Sequence, residues 1–187
     1  MTTTARERIL HATLELIGES GIGGVTNRAV ASRADVSLGS LTYHFTSQTE
    51  LLREALLIFV TREAERLERL ADGLEGTPLE IGEVAAAVQG IVQSANRNEQ
   101  LAQMELYLQA SRDEELRDVA ARAYAAYDHA ARTVLVALGV ADPEPLIPAL
   151  IALVDGFELR RLALDAPAAD PALTDALAAL VRAGASD

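Results

Sequence analysis

Residues 26–45 read Thr26-Asn27-Arg28-Ala29-Val30-Ala31-Ser32-Arg33-Ala34-Asp35-Val36-Ser37-Leu38-Gly39-Ser40-Leu41-Thr42-Tyr43-His44-Phe45, and this stretch decides the fold. Thr26 offers a hydroxyl to the free amides of a helix start. Val30 and Ala31 then supply the inward positions of a short helix over about Asn27 to Ala34. Asp35 is its stop. Ser37 is the next cap, for a second short helix over about Leu38 to His44. Helix, tight turn, helix, at this length, is the spacing of a DNA-reading helix-turn-helix.

Working outward, Ile9, Thr13, Leu16 and Ile17 fall in three- and four-residue steps and predict a preceding helix closed by Gly21, Gly23 and Gly24. On the other side, Ser47 with Glu50 three residues later reads as a capping box. The helix it opens carries Leu52, Leu56, Phe59, Leu67 and Leu70. Thr77-Pro78-Leu79-Glu80 repeats that start signal for a fifth helix through Ile81, Val84, Val88, Ile91 and Ala95. The polar stretch from Asn96 to Glu99 is a break. A sixth helix carries Leu101, Met104 and Leu108, and Asp113 caps a seventh, from Leu116 through Val119, Ala123, Tyr127, Ala130 and Leu135 to a stop at Gly139. Pro143, Pro145 and Pro148 predict an irregular or single-turn entry before an eighth helix over about Ile147 to Leu164. Asp170-Pro171 opens the last. No segment alternates with period two, so the fold class is all-α with about nine helices.

Half of the 187 residues are hydrophobic but only four are Tyr and three Phe, which favours Leu- and Ala-packed helices over sheets. Cysteine is absent, which removes disulfides, thiolate catalysis and Cys-based zinc sites. His11, His44 and His129 are widely separated, with no Ser-His-Asp or metal-ligand spacing around them. No enzymatic activity, metal or cofactor is therefore expected. The first residues run straight into an amphipathic pattern unlike a signal peptide, and the apolar run from Leu146 to Val154 is too short to span a bilayer. A soluble cytoplasmic protein with no membrane partner is the expectation.

The net charge is −12, which opposes DNA affinity. It is unevenly spread. Arg6, Arg8, Arg28, Arg33 and Arg53 cancel Glu7, Glu15, Glu19, Asp35 and Glu50, so the surplus lies beyond residue 53. A neutral head on an acidic body can still bind DNA, with a modest electrostatic contribution.

The segment from Arg8 to Leu52 resembles the N-terminal domain of the TetR family of transcriptional regulators. The residues that carry the resemblance are the hydrophobics from Ile9 up to Gly21, then Thr26, Val30-Ala31, Val36-Ser37, Gly39, Leu41, Tyr43-His44-Phe45, Ser47 and Leu51-Leu52. It implies a three-helix helix-turn-helix DNA-binding domain over residues 1–47 and a helical effector-binding and dimerisation domain over residues 48–187. It also implies a homodimer on double-stranded operator DNA, acting as a repressor that a small-molecule effector releases. Residues at the positions of Thr26, Tyr43 and His44 touch phosphates in the family. Two departures stand out. Relatives carry a phosphate-contacting Lys where this chain has Gln48, and Gly where it has Asp35.

The chemistry of the reader agrees. Ser37, Leu38, Gly39, Ser40 and Thr42 form a low-profile surface that approaches base edges, and Arg28 with Thr26 grips the backbone at a partly positive helix end. Two copies would reach successive major grooves about 34–36 Å apart. Leu150, Ile151, Val154 and Leu162, with Leu173, Leu177, Leu180 and Val181, are candidates for pairing as a four-helix bundle, unless they pack on their own chain. Phe59, Met104, Tyr107, Tyr124, Tyr127 and Phe157 are candidates to line an effector pocket, with Glu105, Asp128, Asp155 and Glu158 to orient a polar group. Ordinary core packing is the competing role for each. The alternative for the whole chain is a helical protein-interaction adaptor that uses the acidic body and binds no DNA.

Overall fold

The computed structural model describes residues 4–74, 80–84, 96–167 and 171–184. Their regular structure is helical throughout. The helices are α1 (Ala5–Ser20), α2 (Asn27–Arg33), α3 (Leu38–His44), α4 (Gln48–Leu74), α5 (Arg97–Ala110), α6 (Glu114–Ala137), α7 (Ile147–Leu164) and α8 (Pro171–Gly184). Residues 81–84 are helical as well, and most of the expected fifth helix lies outside the described residues. The all-α class, with a helix-turn-helix at the N-terminus, is as the sequence predicts.

Helix ends follow the capping chemistry. Thr4 and Glu7 form a complete capping box on α1. Gly21, at φ 70°, turns the chain out of that helix while its amide bonds the Ile17 carbonyl at 2.8 Å. Pro148 acts as expected, because the chain enters α7 through a single 3-10 turn, Glu144–Leu146. Gly139, at φ 80°, terminates α6.

The chain divides into two compact units, Met1–Arg62 with Asn96–Ala123, and Glu63–Ala95 with Tyr124–Asp187. The expected head over residues 1–47 lies wholly within the first, which also takes in α5. Its core gathers Ile9, Leu10, Thr13 and Ile17 of α1, Val30 of α2, Leu41 of α3, Leu51 and Leu56 of α4, Leu106 of α5, and Leu116 and Val119 of α6. Each fully buried Leu, Ile or Val contributes about 1.5–3 kcal/mol relative to exposure. Thr13 is buried without penalty because its hydroxyl donates to the Ile9 carbonyl at 2.8 Å.

The face of α5 is a correction. Of the stripe read as Leu101, Met104 and Leu108, the first two are half-buried and Leu108 is 61% exposed. The buried residues are Gln100, Ala102, Gln103, Leu106 and Ala110. The cause is close approach to α1, where Gly18 lies directly on the backbone of Asn98. Small residues suit that contact better than leucines.

In the second unit, Ala131, Leu135, Val140, Ile147, Leu150, Leu173, Leu177 and Val181 form one buried cluster. This corrects the pairing argument. Leu150, Leu173, Leu177 and Val181 are covered within one chain, because α6 and the 3-10 turn close over the α7–α8 pair; Leu162 is buried too. Ile151, Val154 and Leu180 remain half-buried. No helix among the described residues is long and apolar enough to cross a membrane.

Candidate nucleic-acid interface

The turn between α2 and α3 is set by Asp35, whose φ of 52° is left-handed. The amide of Val36 reaches back to the Ala31 carbonyl at 3.0 Å, closing α2 in a Schellman arrangement. A carboxylate side chain tolerates this backbone better than most, and the position is the one where the resemblance implies Gly. From the other side, Arg8 Nε donates to the Ala34 carbonyl at 3.1 Å and fixes the end of α2 to α1.

Each short helix is capped by a hydroxyl. Thr26 Oγ1 accepts from the Ala29 amide at 3.2 Å and Ser37 Oγ from the Ser40 amide at 3.1 Å. Thr42 turns its hydroxyl back onto the Leu38 and Gly39 carbonyls at 3.2 and 3.1 Å. Leu41 and Phe45 are buried and anchor α3, with the Arg6 guanidinium over the Phe45 ring at 5.6 Å to its centroid. The outer face stays open. Tyr43 is 84% exposed and its ring meets that of His44 edge-on at 5.3 Å. Thr26, Arg28, Ser37, Leu38, Gly39 and Thr42 are exposed, while Ser40 and His44 are half-buried.

The arginines of this unit are unequal. Arg6 is held by Glu54 at 2.5 Å, Arg53 by the same carboxylate at 3.0 Å, and Arg33 by Glu19 and Glu15 at 2.7 and 3.2 Å. These bonds raise the Arg33 pKa above its usual value and lower that of Glu19. Arg28 stands exposed beside the Thr26 cap and makes no ion pair among the described residues. That leaves its charge available to a phosphate.

Two features mark the start of α4. Where the resemblance implies a phosphate-contacting Lys, Gln48 Nε2 donates to the Val25 carbonyl at 2.9 Å, so one amide hydrogen is committed inside the protein. The capping box is split. Ser47 Oγ accepts from the Glu50 amide at 3.0 Å, yet the Glu50 carboxylate returns to the amide and hydroxyl of Thr46, both at 2.7 Å. Those bonds hold the Glu50 pKa below the usual carboxylate range. Neither the Gln48 nor the Arg8 clasp has a local signature, since each joins residues far apart in the chain.

The candidate effector residues fall in both units. Phe59, Met104 and Tyr107 belong to the first and are half-buried, with Gln103 Nε2 3.5 Å from the Tyr107 hydroxyl. Tyr124, Tyr127 and Phe157 belong to the second. There the Tyr124 and Tyr127 rings meet edge-on at 6.1 Å, and the Tyr124 hydroxyl donates to Asp155 Oδ2 at 3.2 Å. Burial beside that carboxylate pushes the Tyr124 pKa up to about 12. Burial also raises the pKa of Asp155 and of Glu158, the latter facing Arg161 at 3.9 Å.

Known proteins resemble the chain along most of its length. The family described as bacterial regulatory proteins, tetR family, matches residues 9–55, and the tetracyclin repressor-like C-terminal domain matches residues 79–183. The HTH-type transcriptional repressor KstR of Rhodococcus jostii is 45% identical over 76 residues, which are 40% of this chain and 34% of that protein. The chain thus spans about a third of the KstR sequence it matches. The nicotine-responsive repressor HdnoR of Paenarthrobacter nicotinovorans is 25% identical over 170 residues, covering 87% of this chain and 86% of the relative. Among solved structures, the multidrug binding protein EbrR in complex with imidazole aligns with a TM-score of 0.74 at 31% identity, covering 96% of both chains. Its complex with proflavin aligns at 0.69 and 32% identity, covering 95% of this chain and 99% of that one.

Proposed function

The chain belongs to the TetR family of bacterial regulators, and from that premise we propose that it is a dimeric DNA-binding repressor which a small molecule releases from its operator. The observation that carries the reading is the open face of α2 and α3. Arg28, Thr26 and Tyr43 offer it a cation and hydroxyls for phosphates, while Ser37, Leu38, Gly39, Ser40 and Thr42 present a slim surface to base edges. Gln48 adds a second amide hydrogen at its margin.

For the dimer, the exposed stripe Ala152, Gly156, Leu159 and Ala163 of α7 takes over from the leucines covered within the chain, flanked by Ile151, Val154 and Leu180. Its four- and three-residue steps keep it on one side of the helix, and among the described residues nothing beyond the helix's own nearby backbone lies within 4 Å of where a Gly156 side chain would start.

The effector we infer is a basic aromatic molecule. Tyr124, Tyr127 and Phe157 supply apolar contact, and Asp155 and Glu158 supply carboxylates that a cation would stabilise in their charged form. The relatives' names point the same way, since nicotine is a basic amine and proflavin a flat aromatic cation. Release requires the effector to bind the DNA-free arrangement more tightly than the DNA-bound one.

A gel shift on DNA flanking the protein's own gene tests the reading, with proflavin, ethidium and nicotine as probes. Retardation that exceeds that of an unrelated duplex, and that one of the probes reverses at a concentration which leaves an unrelated protein–DNA complex intact, is the expected result. Equal retardation of both duplexes would refute specific regulation; a specific shift that no probe alters would refute the effector class alone.

A further inference from the structure

We propose that the chain reads sequence chiefly through thymine methyl groups, with Leu38 as the residue that sets specificity. The inference rests on the assignment of α3 as a DNA reader and says what that reader recognises.

Direct readout of guanine and adenine relies on the paired hydrogen bonds of Arg, Lys, Asn or Gln. The reading helix Leu38–His44 contains none of these. Its hydroxyls are partly spent within the protein. Ser37 Oγ already accepts the Ser40 amide, and the Thr42 hydroxyl hydrogen points at the Leu38 and Gly39 carbonyls. With its oxygen turned inward, Thr42 has its methyl left for a partner. His44 is half-buried at the far end of the helix against Tyr43.

What the start of α3 does present is apolar. Leu38 is 47% exposed, in contrast to Leu41 one turn on, which is buried. Gly39 beside it is not demanded by the fold. Among the described residues a Cβ there would meet only Ser37 Oγ, at an ordinary 3.9 Å, although glycine weakens a helix interior. A bare position next to an exposed leucine lets that leucine reach the floor of a groove. In the major groove the one apolar group on a base edge is the thymine C5-methyl. Leu38, followed by the Thr42 methyl, matches that chemistry.

The test uses the purified full-length dimer. Duplexes are first enriched from a pool of random sequence, and the tightest is remade with each thymine in turn replaced by uracil, which lacks only the methyl. The wild-type protein is expected to lose affinity by roughly fourfold, the value of one buried methyl group, at one or more positions in each half-site. Leu38→Ala is expected to bind more weakly and to be indifferent to the exchange at the position facing residue 38. Leu38→Met keeps an apolar tip and is expected to retain the penalty, and circular dichroism checks that both variants fold. Uracil accepted everywhere without loss would overturn the proposal, as would an undiminished penalty in Leu38→Ala. If no duplex is enriched at all, the DNA-reading assignment itself fails, a result distinct from enrichment without methyl dependence.

Discussion

Gln48 Nε2 and the Val25 carbonyl oxygen, 2.9 Å apart, join the first residue of α4 to the residue just before the Thr26 cap. The bond spans the whole helix-turn-helix in sequence and holds its two ends together. Gln48→Ala should therefore lower stability by about 1 kcal/mol, the usual net worth of such a bond. Gln48→Lys keeps a donor for Val25 and adds a charge. We expect little change in stability and a plot of log affinity against log salt that is steeper by about 0.9. Urea denaturation and a salt titration of DNA binding check the two halves, and an unchanged slope would remove Gln48 from the phosphate contacts.

Arg28 and Arg33 should behave oppositely although they lie on the same short helix. Arg28 has no ion pair among the described residues, whereas Arg33 is held by Glu15 and Glu19. Arg28→Gln should weaken binding to all duplexes alike and make the salt dependence shallower by about 0.9, the signature of one lost phosphate contact. Arg33→Gln should leave that slope unchanged. Fluorescence anisotropy at several salt concentrations decides it, and equal losses in both variants would contradict the pairing seen here.

The helix-turn-helix was legible because its signals are local chemistry. The hydroxyls of Thr26 and Ser37, the left-handed turn at Asp35 and the buried Leu41 act within a few residues of each other. Helix α5 was not legible in the same way. Its contact with α1 is set by backbone approach at Gly18, so Ala102 and Ala110 face inward while Leu108 faces out. Periodicity favours the larger apolar residues and so selects the wrong side. The leucines of α7 and α8 show a related limit. Sequence reveals how much apolar surface a hairpin carries, but not that α6 and the 3-10 turn cover it within one chain.

Asp155 links stability to pH. Burial raises its pKa, an effect that the hydrogen bond from Tyr124 only partly opposes. A carboxyl with a raised folded pKa binds its proton at higher pH when folded than when unfolded. Folding then takes up a proton in the window between the two values, so this group's contribution becomes more favourable as pH falls through the raised value. Glu158 acts in the same sense, and Glu7, Glu19, Glu50 and Glu144, whose pKa values are lowered, act in the opposite sense at lower pH. Asp155→Asn isolates the one residue. It should raise the melting temperature at pH 7 and leave a smaller advantage as the pH approaches the ordinary aspartate range. Melting curves that run parallel at every pH would show that Asp155 is solvated as in the unfolded chain.

Gly18 offers a case in which two known effects oppose each other. Replacing glycine by alanine inside a helix ordinarily stabilises by about 1 kcal/mol. Gly73, in the last turn of α4, has nothing within 4 Å among the described residues, and Gly73→Ala should show a part of that gain. At Gly18 the added methyl would overlap the Asn98 carbonyl, a backbone group that cannot rotate aside. Overpacking of this kind costs about 1–3 kcal/mol, at the upper end where the obstacle is rigid. The overlap wins, and Gly18→Ala should lower stability by about 1–2 kcal/mol net. Because α5 can relieve the clash only by moving away from α1, the variant should also expose the α5 amides to faster hydrogen exchange than those of α3. Denaturation midpoints of the two alanine variants, with exchange measured on Gly18→Ala, make the comparison. If both substitutions stabilise equally, α1 and α5 are not in backbone contact at Asn98.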